Sequence, residues 1–187
     1  MSAIRLLVLG AIRRRKVAHG YQVRSDLEAW GAHEWSNAAP GSVYHALKSM
    51  AAQGLLTDRN ADSEAGGPRK TEYELTASGE AEFFVLLRDA LSSRDPRLDL
   101  LAAAVGFLGD LSRVEAVELL QSRARSMEVW RESIVSHLPS GTRLESWGPV
   151  GEVIGLWLHT AESRLRWTEG LIERLKAGAH ALKGDPA

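Results

Sequence analysis

The chain contains no cysteine among its 187 residues. That one absence excludes disulfides, thiolate nucleophiles and cysteine-ligated zinc or iron–sulfur centres, and it gives no sign of an oxidising compartment. Strong charge of either sign is missing as well, for the formal net charge is −1. No apolar run is long enough to span a bilayer. The opening M-S-A-I-R-L-L-V-L-G-A-I-R-R-R-K places its basic cluster after a short apolar stretch and has no small-residue cleavage site, so it reads as the core helix of a cytoplasmic protein. The six histidines are scattered, with no H-E-x-x-H and no close pair, which argues against a bound metal. G-G-P-R-K-T at Gly66–Thr71 lacks the glycine before the lysine that a phosphate loop needs, and it joins two strands rather than a strand and a helix.

A balanced total conceals a weak bias. Residues 1–76 carry ten basic against eight acidic side chains, +2, and the remainder thirteen against sixteen, −3. Basic residues cluster at Arg13–Lys16 and at Arg69–Lys70. The first cluster reads foremost as a solvated helix end that complements the helix dipole.

Hydrophobic spacing gives the order of elements. Ile4, Leu7, Val8, Ala11 and Ile12 form one helical stripe. A second helix fits Tyr21 to Trp30, with Val23, Leu27 and Trp30 on one face and Gly31 as its terminator, before a turn or loop through Ala39. A third starts at Pro40, with Val43, Ala46, Leu47 and Met50 inward and Ser42, Tyr44, His45, Lys48 and Ser49 outside that stripe. Leu55–Arg59 and Arg69–Leu75 read as strands around a polar turn, Asn60–Pro68. Thr76 caps a helix reaching about Ser93, with Phe83, Phe84, Leu87 and Leu91 as its buried side. Asp95-Pro96-Arg97 marks a break, after which the chain reads as helical. Leu98–Leu108 is apolar nearly all round, Ser112 with Glu115 opens a helix to about His137, and Val150–Ala177 forms the last helix before a polar tail.

Three helices and a strand pair are the order of a winged helix-turn-helix, whose recognition helix enters the major groove of DNA. The fold class expected is therefore mainly α with a small β-hairpin: residues 1–94 as a winged helix-turn-helix domain with its following helix, and 95–187 as a helical dimerisation and effector region. On the third helix, the Ser42 and Tyr44 hydroxyls suit phosphates, Lys48 neutralises one, and His45 can meet a phosphate or a base edge. Arg69 and Lys70 would extend from the wing. Tyr21 and Gln22, at the start of the second helix, can reach the DNA backbone, with Tyr21 equally readable as core.

H-G-Y-Q-V at His19–Val23, P-G-S-V-Y-H-A-L at Pro40–Leu47, Q-G-L-L at Gln53–Leu56 and R-K-T-E-Y-E-L-T-A-S-G at Arg69–Gly79 together resemble the PadR family of bacterial transcriptional regulators. The resemblance covers roughly the first eighty residues in order. It implies a dimeric repressor of a palindromic operator, relieved by an effector, with double-stranded DNA and a second copy of the chain as partners and no cofactor. It would place Ser42, Tyr44, His45 and Lys48 on the recognition helix and Arg69 and Lys70 at the wing. Asp62 and Glu64 in the intervening turn depart from that pattern, since they would repel phosphates.

Trp130, Trp157 and Trp167 are candidates to line a pocket for a flat apolar or aromatic effector, although large aromatics at helical spacing more commonly form core or interface. Two rival readings come from other classes. An enzyme using Tyr44 and His45 as acid and base lacks a group to orient the histidine, and consecutive helical residues point about 100° apart. A protein-interaction module on the same scaffold, without DNA binding, remains the alternative.

Overall fold

A computed structural model describes residues 2–36, 38–61, 70–95, 97–138 and 143–186. They form two compact units, Met1–Ala90 with Arg97–Phe107, and Leu91–Pro96 with Leu108–Ala187.

The first unit is built around α1, Ala3–Arg15. The single stripe expected for this helix is too narrow a description. Leu6 to Ile12 are buried on every side, while Ile4 is only half-buried. The reason is that α2 (Gly20–Ala29), α4 (Pro40–Ala52), α6 (Leu98–Gly106) and the sheet all pack on it. Gly10 makes one approach possible: a Cβ there would lie 2.1 Å from Cζ of Phe107. The Phe107 ring meets Trp30 and Phe83 edge-on, at centroid distances of 5.9 and 5.4 Å. Arg14 covers Phe107 and Trp30 and donates to the Gly106 carbonyl at 2.7 Å.

Two short elements escaped the sequence reading. Val17–His19 is a strand, β1, and Ala32–Trp35 is a single helical turn, α3. Neither is long enough to show a period, so neither leaves a hydrophobic pattern to read. The helix expected third is thus α4. Strands β2 (Leu56–Ala61) and β3 (Lys70–Leu75) pair antiparallel, with Asp58 opposite Tyr73, and β1 joins the other edge of β3 through Ala18 opposite Tyr73. The order β1-β3-β2 with helices α1, α2 and α4 is a winged helix. Thr76 accepts from the Gly79 amide at 3.0 Å and so caps α5, Ala77–Ser92, as its position suggested.

The second unit is a hairpin of two long helices, α7 (Arg113–Ser136) and α8 (Pro149–Lys176). Ser112 accepts from the Glu115 amide at 3.2 Å, as the capping pattern predicts. Ala161, Thr168, Ile172 and Leu175 of α8 are buried, but Trp157 is 51% exposed.

The polar tail is not a loose end. Arg113 donates to the carbonyls of Leu175, Ala179 and His180 and to the Asp185 carboxylate at 2.5 Å, while Asp185 also accepts from the Leu182 amide at 2.9 Å. Leu182 is buried by this clasp. The Arg113 hydrogen bond, then the Leu182 amide, hold the Asp185 carboxyl below its ordinary value, against partial desolvation. A depressed folded-state value means that the carboxylate stabilises the fold above the unfolded-state pKa of about 3.9 and ceases to as pH falls through the lower folded value. Asp185→Asn should therefore lower the urea midpoint at pH 6, with the gap to wild type narrowing as denaturation is repeated towards pH 3.

Candidate nucleic-acid interface

Pro40 occupies the first turn of α4, where its missing N–H costs nothing, and Ala39 enters in extended geometry. Val43, Leu47 and Met50 are buried and fix the helix against the unit. The opposite face carries Gly41, Tyr44, His45 and Lys48, all exposed, at the spacing of one helical stripe. Ser42 lies half-buried at the edge of that stripe. Gly41 has no neighbour within 4 Å of where a side chain would begin, so the first turn presents bare backbone.

Tyr44 does two things at once. It is 39% exposed, yet its ring rests on Gly20, where an added Cβ would stand 2.8 Å from Cε1. Its hydroxyl also acts on Tyr73 in the sheet, whose phenol is raised first by burial, then by Asp58 and by Tyr44. The contact locks the start of α2 to the middle of α4, which explains why a glycine follows His19.

The start of α2 is organised by its own residues. Gln22 accepts from the His19 amide at 2.8 Å, so its side-chain carbonyl serves the helix start. Tyr21 is 52% exposed and stacked on His19, with centroids 5.6 Å apart and planes within 13°. The alternative that made Tyr21 core is corrected: its ring lies on the surface because His19, tied to β3 through Glu72 at 3.6 Å, offers the stacking partner. His19 and Gly20 thus support the exposed rings of Tyr21 and Tyr44, a part the sequence reading did not give them.

Arg69 lies outside the described residues, as do Asp62 and Glu64. Lys70 opens β3 opposite Ala61, but its side chain is likewise outside them. The cluster at the end of α1 is more engaged than a solvated helix end. Arg13 bonds Glu80 at 2.8 Å and covers Phe83 and Phe84, Arg14 is held at Gly106, and Arg15 bonds Asp26 at 2.5 Å. In the second unit, Trp130 and Trp157 line one cleft, whereas Trp167, also exposed on α8, is not among its walls. The described residues hold no cluster of three or more side chains suited to a metal, and no described helix is long and apolar enough to cross a membrane.

Residues 8–84 match the family model of the PadR-like transcriptional regulators. The matched segment runs from the middle of α1 into α5 and contains α2, α4 and the whole sheet. Among solved structures, the chain is similar to Bacillus subtilis PadR in complex with operator DNA, at 20% identity and a TM-score of 0.42, over 91% of this chain and 98% of that one. A Streptococcus mutans protein gives 20% and 0.40 over 90% and 98%, and a Bacillus cereus PadR-like regulator 17% and 0.39 over 94% and 99%. The chain matches no curated protein sequence.

The Gly20–Tyr44 contact is directly testable. Gly20→Ala should destabilise the domain by about 1–3 kcal/mol through overpacking, read as a lower urea midpoint. Adding Tyr44→Ala to the same chain should recover most of that loss.

Proposed function

We propose that this chain, whose residues 8–84 match the family model of the PadR-like transcriptional regulators, is a sequence-specific DNA-binding transcriptional regulator that acts as a homodimeric repressor. The observation that carries the reading is the outer face of α4. Tyr44, His45 and Lys48 stand exposed in one stripe on a helix whose other side is anchored by Val43, Leu47 and Met50. A hydroxyl, an imidazole and an ammonium in that arrangement suit phosphates and base edges of a major groove. Tyr21 and Gln22 at the start of α2, Ser42 beside the stripe, and Arg69 and Lys70 at the wing complete the proposed contact set. In helix-turn-helix proteins the helix before the reading helix crosses the backbone, which is the role given to α2.

The self-association rests on the region from residue 95 onward. Val150, Val153, Leu156 and Trp157 crowd large apolar side chains onto the exposed first half of α8, and Leu156 is 63% exposed. Such a strip on a helical hairpin is what a second copy of the chain would cover. A two-fold dimer would place two reading helices on half-sites about 34 Å apart, one helical turn of DNA. An effector would relieve repression by favouring dimers whose heads no longer match that spacing.

Two measurements test these readings. In gel shifts against the DNA upstream of its own gene, the protein should prefer specific sequence over random duplex, and Lys48→Ala should reduce the slope of log affinity against log salt by about 1. Loss of any preference at low salt leaves the interaction-module alternative. In sedimentation, the wild-type chain should run as a dimer and Leu156→Asp as a monomer.

A further inference from the structure

The buried face of α7 contains one residue out of keeping with the rest. Ala116, Leu120, Ala124 and Met127 are apolar, yet Arg123 lies among them and is only 1% exposed. It is the largest fully buried side chain among the described residues. A guanidinium brings five N–H donors and a positive charge, and an apolar site tolerates neither without partners.

The partners at hand are incomplete. Nη1 donates to the Ser93 carbonyl, just after the end of α5, while Nε has no hydrogen-bond acceptor among the described residues. The Ser93 hydroxyl, on the residue that supplies the carbonyl, is buried and equally unpartnered. The shared hydrogen bond therefore brings two idle polar groups to one spot in the second unit. The charge is poorly offset as well. Burial first, then repulsion by Arg164, hold the guanidinium below its ordinary value, and Asp95 opposes only part of that.

We infer that a monatomic anion, chloride under ordinary conditions, sits between Arg123 and Ser93 and accepts from Nε–H and from the serine hydroxyl. A halide serves both donors at once and offsets the buried charge. A water molecule would serve both and leave the charge uncompensated. Both idle atoms are closed off from solvent, which favours a single atom over a carboxylate or phosphate and makes entry depend on local opening. The ion would complete the attachment of residues 91–95 to α7. This site goes beyond the regulator reading and does not depend on it.

The test uses the full-length protein at constant ionic strength, with sodium gluconate exchanged stepwise for sodium chloride. With an affinity of about 10 mM, protection from hydrogen exchange at residues 91–95 should rise about tenfold in about 100 mM chloride. The urea midpoint should rise with it, and bromide should substitute for chloride. Ser93→Ala, which removes only the hydroxyl, should weaken the response, and Arg123→Met, which fills the stripe with an apolar chain, should abolish it, with circular dichroism confirming the fold. Crystals grown in sodium bromide should show an anomalous peak beside Arg123 Nε. Equal protection in gluconate and chloride, a response that survives Arg123→Met, or a water where the bromide is expected overturns the inference. Bromide in the crystal without any response in solution marks an adventitious ion only, and overturns it too.

Discussion

The winged-helix unit depends on a steric permission at Gly10. α1 can be surrounded only if something on its far side comes close, and the Phe107 ring occupies the space a side chain at position 10 would take. With that ring seated, Trp30 at the end of α2 and Phe83 in α5 close around it edge-on, and Arg14 caps the aromatic group with its charge. The central helix is thereby buried throughout, and α4 gains a fixed bed for Val43 and Leu47. The exposed stripe on its outer face is the remainder of that arrangement.

The long elements were legible because each carries a period and an end signal. Pro40 and Gly54 bracket α4, Gly31 ends α2 with a left-handed backbone, Thr76 and Ser112 cap the helices that follow them. β1 and α3 were not legible, since three or four residues cannot display a period and β1 exists only because β3 has a free edge to pair with. The docked tail was missed for a different reason. G-D-P-A looks like a solvated end, and nothing local reveals that Arg113, seventy-two residues earlier, would gather three carbonyls and Asp185.

On the outer face of α4 the spacing predicted which side chains are exposed, and not what supports them. Tyr44, His45 and Lys48 could be set outside the hydrophobic stripe by spacing alone. That Tyr44 leans on Gly20, that Tyr21 stacks on His19 and that Gln22 spends its carbonyl on a helix start are tertiary or capping facts. They show the outer face of α4 and the start of α2 to be held by residues at the seam of β1 and α2.

The ion pairs at the end of α1 have a consequence for the time course of DNA encounter on the regulator reading. Arg13 and Arg15 are matched by Glu80 and Asp26, so this cluster contributes a muted far field to a surface of near-zero overall charge. Long-range attraction speeds association and also prolongs residence on irrelevant duplex. A protein that keeps its arginines occupied gives up some capture radius and gains short dwell times between targets, so discrimination is weighted towards contacts made only at close fit.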